Sequence, residues 1–182
     1  MNRCKWCNLK NEMYIKYHDE EWGVLNLEEN YLFEMLILES FQAGLSWECV
    51  LNKIKNFCKA YDNFNVEKIV KYDDKKINEL INNPGIIRNK LKIRASILNS
   101  KIFKKIEDEY GSFKNYLLSF IKNYPIYETD KTTSELSDNI SKDLYKKGMR
   151  FVGSTIIYSY LQAIGIINSH EVNCFMNKQS NS

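Results

Sequence analysis

The stretch LESFQAGLSW, Leu38 to Trp47, sets one carboxylate, Glu39, in an apolar run and follows it with Gln42 and Trp47. Leu32, Phe33, Met35, Leu36 and Ile37 ahead of it read as a buried helix. At helical spacing Glu39 then has Met35 and Leu36 behind it and Gln42 and Ala43 in front. Burying a carboxylate without partners raises its pKa or costs stability. Glu39 must therefore be exposed, paired, or aimed into a cavity that something else enters.

A second constellation joins the two ends of the chain. Its histidines are His18 and His170, and HEVNC puts Cys174 four residues after the second. On a helix that spacing presents an imidazole and a thiolate on one face, within reach of one Zn²⁺. Cys4 and His18 would complete a closed site of two cysteines and two histidines. Cys7 leaves an alternative, because Cys4 and Cys7 form a CxxC pair, and buried thiols beside surface histidines would give the same spacing without a metal.

These groups need a scaffold, and the pattern beyond the first thirty residues is helical almost throughout, which predicts an all-α fold. One helix carries Glu39. After the break AGLS a second runs from Trp47 to Tyr61, capped by Ser46, and short helices follow over Val66–Lys71 and Lys75–Ile81. A long helix from Arg88 to Tyr110 stops at Gly111; another runs from Ser112 to Asn123 and is closed by Pro125. IYETDKTTSEL reads as a polar, mobile connection. Ser137 opens a helix to Lys147, GMRFVG turns the chain, and STIIYSYLQAI is helical up to Gly165.

That last turn has glycines at both ends, Gly148 and Gly153, and presents the N–H groups at the start of the following helix, a place where a phosphate can settle. Lys142, Lys146, Lys147 and Arg150 surround it against Asp143 alone, as a contact to a nucleic-acid backbone requires; a plain helical hairpin with capping glycines and solvated lysines fits the same residues. A second basic run, Arg88, Lys90, Lys92, Arg94, Lys101, Lys104 and Lys105, alternates with Leu91, Ile93, Ile97 and Ile102 and reads as the solvated face of an amphipathic helix.

Composition sets outer bounds. With 182 residues, 44% of them hydrophobic, the chain can build one domain or two small lobes around a cleft. A net charge of +3 is too small to announce nucleic acid by itself. No apolar run approaches a membrane span and the N-terminus lacks a signal-peptide core, which points to the cytoplasm; five scattered cysteines argue for reduced thiols.

Taken together, RCKW, YIKYHDEEWG, FEMLILESFQAGLSW, GIIRNKLKI and KKGMRFVGSTIIYSYLQAIGIINSH with Cys174 resemble the DNA-3-methyladenine glycosylase I (TAG) family, collinearly from Arg3 to about Cys174. The resemblance implies a two-lobed, all-helical member of the helix-hairpin-helix glycosylases, a single domain over 1–182 acting as a monomer. It implies a monofunctional hydrolase that flips 3-methyladenine out of alkylated double-stranded DNA and releases the base. Carried over position by position, it places structural zinc on Cys4, His18, His170 and Cys174, which sets Cys7 aside. Glu39 and Tyr17 become the catalytic polar contacts, and Trp47 the stacking surface. Trp22, Tyr14 and Trp6 form further aromatic wall, with Gln42 supporting the same turn. Lys147, Gly148, Arg150, Gly153 and Ser154 would meet the DNA backbone. Phe41, beside Glu39, would reshape the pocket slightly. Many helix-hairpin-helix glycosylases have a catalytic aspartate some way after the hairpin; INSHEVNC has none, as in the TAG family. The competing reading is a zinc-stabilised module that grips DNA without chemistry.

Overall fold

The computed structural model describes residues 2–177. Its described residues form ten α-helices: α1 Glu12–Glu20, α2 Glu29–Gln42, α3 Trp47–Leu51, α4 Ile54–Ala60, α5 Val66–Ile69, α6 Asp74–Asn82, α7 Lys90–Tyr110, α8 Phe113–Leu118, α9 Glu135–Lys146 and α10 Ser154–Ala163. Two residue pairs, β1 Ile126–Tyr127 and β2 Ile167–Asn168, make a short parallel ladder, so the fold is mostly rather than wholly helical.

The central element is α2. Leu32, Leu36, Ile37, Leu38 and Phe41 are all fully buried on it, and it packs against α3, α7, α8 and α10. Each such side chain contributes roughly 1.5–3 kcal/mol by leaving water, and a helix so enclosed has little freedom to rotate. Glu39 is therefore held by its neighbours rather than by a partner of its own. Phe41 does not reach a pocket: its ring packs on Phe57 and Tyr61, 4.9 and 6.2 Å away, and belongs to the core.

Several boundaries differ from the sequence reading for local reasons. The segment 47–61 is two helices, because the first ends at Asn52, whose Oδ1 accepts from Asn11 Nδ2. Helix α1, in the stretch left without an assignment, is started by Asn11, whose side chain accepts from the N–H groups of Met13 and Tyr14. α9 begins earlier than Ser137, since Ser134 caps it and Ser137 closes a reciprocal capping box. α8 ends at Leu118, short of Asn123. The long helix α7 starts at Lys90 on the Asn89 cap and ends at Gly111 in the left-handed conformation.

The chain after α1 is clamped to the end of α10: Gly23 N–H donates to Gln162 O and Asn26 N–H to Ile164 O, both at 3.0 Å. Gly165 makes this approach possible. Its φ is +76°, and a Cβ there would lie 2.3 Å from backbone atoms of Val24 and Leu25. Gly165→Ala should destabilise the protein by about 3 kcal/mol or more, through steric overlap and left-handed strain together. Chemical denaturation would measure this, and a loss below about 1 kcal/mol would mean that the clamp relaxes freely.

Candidate active site and metal centre

Trp6, Tyr14, Tyr17, Trp22, Glu39, Gln42 and Trp47 line one cavity of about 310 Å³, at the small end of the roughly 300–1,000 Å³ typical of ligand pockets. The rings form two groups: Trp6 meets Trp22 edge-on at 4.6 Å and Tyr14 at 5.5 Å, and Tyr17 meets Trp47 at 5.1 Å. α1 supplies Tyr14 and Tyr17, α2 supplies Glu39 and Gln42, and α3 supplies Trp47 at its first position after the Ser46 cap. Asn8 and Asn11 both donate to Glu48 Oε1 at 2.8 Å, tying α3 to the segment that carries Trp6 and Tyr14.

Polar atoms in this cavity lack protein partners. Glu39 Oε2, Gln42 Oε1 and Trp47 Nε1 are buried without a hydrogen bond. A native fold seldom leaves three such atoms together, and their arrangement around one void is that of a site built for a polar guest. Burial pushes the Glu39 carboxyl up to about 8, with no cation beside it to oppose the shift. Burial also raises the phenol of Tyr17 well above its ordinary value, and the charge of Glu39 raises it further.

The opposite wall was not legible in the sequence. It comprises Thr129, Asp130 and Lys131 from the loop after β1, Ser159 and Gln162 from α10, and Ser169 and Glu171 near the C-terminal end. Ser159 and Gln162 lie three apart in the largely apolar stretch that follows Thr155 in α10, which is the one signal that could have found them. The connection read as a polar loop thus supplies a lip of the cavity, with Asp130 in the left-handed region at φ 59°. Lys131, at that lip, is ion-paired to Glu128.

Next to the aromatic wall lie Cys4, His18, His170 and Cys174, all buried, with their ligating atoms within 4.8 Å of one another. Cys4 Sγ to His170 Nδ1, Cys174 Sγ to His18 Nε2 and Cys174 Sγ to His170 Nδ1 are each 3.5 Å. The segment from His170 to Cys174 is a turn rather than the helix the spacing suggested, and it brings the two side chains together all the same. Each histidine is oriented from behind. The His170 Nε2–H donates to Trp22 O at 3.0 Å, and the His18 Nδ1–H donates to Asp19 Oδ1 at 2.8 Å, so His170 Nδ1 and His18 Nε2 are left as acceptors facing the cluster, where His18 Nε2 also takes the Cys4 N–H at 3.2 Å. Asp19 is in turn gripped by the Arg3 guanidinium at 2.7–3.1 Å, which holds its carboxyl below the usual carboxylate range. Cys7 is buried but lies outside the cluster, its thiol facing the Tyr14 carbonyl. Trp6 and Trp22 rest on the imidazoles of His18 and His170 at 5.2 and 4.6 Å, so the cluster and the cavity share a wall.

The turn between α9 and α10 packs as a hairpin. Asn99 of α7 binds both the N–H and the C=O of Arg150 at 2.9 Å, Ser141 donates to Val152 O at 2.7 Å, and no side chain caps α10. Gly148, Gly153 and Ser154 lie at this turn; Ser154 bonds Ser137 and Asp138. Arg150 is exposed, with its guanidinium on the Gly148 and Met149 carbonyls. Lys147 instead pairs with Glu109 at 3.0 Å and faces the rings of Tyr110 and Tyr116. Ser159 on the cavity wall is five residues from Ser154, roughly 8 Å along the helix, so the hairpin turn lies next to the cavity.

The chain belongs to the methyladenine glycosylase family, whose family model matches residues 6–177. Among relatives, DNA-3-methyladenine glycosylase 1 of Escherichia coli (strain K12) is 39% identical over 180 residues, 96% of each chain. DNA-3-methyladenine glycosylase of Haemophilus influenzae is 34% identical, over 94% of this chain and 96% of that one. A crystal structure of 3-methyladenine DNA glycosylase I (TAG) superposes with a TM-score of 0.92 at 38% identity, covering 96% of this chain and 99% of that one. TAG from Staphylococcus aureus, in a study of 3-methyladenine recognition, gives 0.90 at 31% identity and covers 96% of each.

Proposed function

We propose that this chain is a DNA repair hydrolase that accepts 3-methyladenine flipped out of alkylated double-stranded DNA and cleaves its N-glycosidic bond. The observation that carries the reading is the unpartnered Glu39 carboxyl, buried in a cavity whose walls are indole and phenol rings. Methylation at N3 makes adenine a cation while it is still joined to the sugar. A ring face attracts that cation through its quadrupole, and a carboxylate shielded from water adds direct attraction. Normal adenine is neutral and gains little from either, so the cavity discriminates by charge as well as by shape.

Glu39 and Tyr17 face the base edge, Trp47 stacks on its plane, Trp6, Tyr14 and Trp22 complete the wall, and Gln42 adds a polar contact. As the bond from the base to C1′ breaks, its electron pair neutralises the departing ring, so no strong acid is needed to protonate the base. Water supplies the oxygen that C1′ gains and releases one proton. In this reading the reaction stops there, without a lyase step: Lys131, the one lysine among the cavity-lining residues, is ion-paired to Glu128. The hairpin of α9 and α10, the helix-hairpin-helix element of this reading, would take the DNA backbone at Gly148, Arg150, Gly153 and Ser154. Lys147 contributes only by breaking its bond to Glu109. The whole chain works as one two-lobed domain and as a monomer. No helix among the described residues is long and apolar enough to cross a membrane, and a DNA substrate places the protein in the cytoplasm.

The four-residue cluster fits structural zinc. A tetrahedral Zn²⁺ bonded at about 2.3 Å to sulfur and about 2.0–2.1 Å to nitrogen holds such atoms roughly 3.5–3.6 Å apart, which matches the three 3.5 Å separations. With two thiolates and two imidazoles the site is closed, so the metal would join the chain's ends and brace the tryptophans rather than take part in hydrolysis.

Incubation with methylated DNA and chromatography of released bases tests the function. Release of 3-methyladenine is expected; tight DNA binding with no released base would leave a binding module instead. Trp47→Ala should weaken binding of 3-methyladenine by about 1–3 kcal/mol, the usual loss of a stacking ring, read by calorimetric titration. Unchanged affinity would remove Trp47 from the site.

A further inference from the structure

Lys92 departs from the solvated face expected of its helix. It is 7% exposed, and its ammonium donates to Phe41 O at 2.8 Å and to Ala43 O. These are carbonyls at the C-terminal end of α2, and the cation also sits 5.8 Å from the ring centre of Phe151 in the hairpin turn. No carboxylate among the described residues pairs with it, and burial lowers its pKa from the ordinary lysine value. A buried ammonium without a counter-ion is costly, and a hydrophobic residue of similar length would fill the space at less cost.

What Lys92 holds gives this cost a purpose. The residues 43–46 are the strap between Gln42, the last residue of α2, and Trp47, the first of α3. Ala43 is non-helical at φ −44°, ψ 115°, and Gly44 is left-handed at φ +75°. The strap therefore sets the separation between Glu39 and Gln42 on α2 and Trp47 on α3. A cation at a helix C-terminus also complements the exposed carbonyl dipoles.

We propose that Lys92 is a positioning residue for base excision: by pinning the end of α2 against the hairpin turn, it fixes the strap that spaces Glu39 from Trp47. The inference rests on the glycosylase reading above. Its partners are main-chain carbonyls, so it acts through geometry and touches no substrate.

The test compares wild type with Lys92→Met and Lys92→Gln, each confirmed folded by circular dichroism well below its melting temperature, and with Lys92→Arg. Two quantities are read: the single-turnover rate on methylated DNA and the affinity for free 3-methyladenine. In the neutral variants the rate should fall about 10- to 100-fold, the scale of a misplacement near 1 Å, with weaker base binding. The cation retained in Lys92→Arg should restore most of both. Wild-type rate and affinity in either folded neutral variant would overturn the proposal, as would failure of both to fold, since Lys92 would then serve the fold alone. Should wild type release no base, the glycosylase reading fails separately, and affinity for the free base decides the role of Lys92.

Discussion

Glu39→Gln should lower the rate of 3-methyladenine excision by about 100-fold or more, the scale on which one preorganised electrostatic contact acts in a site shielded from water. The variant should nevertheless fold at least as well as wild type. Glutamine keeps the shape and loses the charge, and the charge is what the fold pays for. Because the folded-state pKa of Glu39 is raised to about 8 from its ordinary 4.5, the folded protein holds this proton more tightly than the unfolded chain does. The stability this contributes is complete below about pH 4.5, declines as pH rises, and is lost above about pH 8. Glu39→Gln lacks that titration, so its melting temperature should exceed that of wild type by a margin that grows between those limits.

Activity has the opposite sign. The cationic base needs Glu39 ionised, so kcat/KM of wild type should climb with pH, pass its half-maximum near 8 and level off above it, while in Glu39→Gln this limb is absent. Parallel thermal melts and single-turnover rates from pH 5 to about pH 9 read both. A wild-type pH profile in the variant, or equal melting temperatures throughout, would remove the carboxylate from the mechanism.

Loss of the zinc proposed for the Cys4, His18, His170 and Cys174 cluster has the largest expected effect on stability. Cys174→Ser removes one of four converging ligands and should reduce bound zinc well below one per chain, with the melting temperature falling by about 10 °C or more. Because Trp6 and Trp22 lean on His18 and His170, affinity for 3-methyladenine should fall with it. Elemental analysis and melting of carefully purified protein decide the matter. Folded wild type without zinc, melting where the zinc-treated protein does, would contradict the assignment.

How much of this was readable beforehand depended on whether local sequence or distant packing sets a feature. Helix α2 and the turn from Gly148 to Gly153 are local, one marked by an apolar run and the other by paired glycines, and both stand where the sequence put them. The seven expected cavity residues converge because they cluster on α1, α2, α3 and the segments just before and just after α1. Lys92 was misread because periodicity marks a face without saying what packs on it; the open carbonyls of α2 drew the ammonium inward. Thr129, Asp130 and Lys131 escaped notice because a two-residue ladder, Ile126–Tyr127 on Ile167–Asn168, brings their loop to the cavity, and nothing local encodes that pairing. His170 and Cys174 converge through a turn, so their four-residue spacing pointed to the right partners by way of the wrong element.

The whole account depends on recognition of charge. Calorimetric titration of wild type and Glu39→Gln, at about pH 9 where Glu39 is mostly ionised, with 3,9-dimethyladeninium, a permanent cation whose N9 methyl replaces the sugar, and with neutral 9-methyladenine would test it most directly. Wild type should prefer the cation by about tenfold or more, a difference of about 1.4 kcal/mol, and the preference should collapse in the variant. Equal affinity of wild type for the two bases, or a preference that survives loss of the carboxylate, would contradict it.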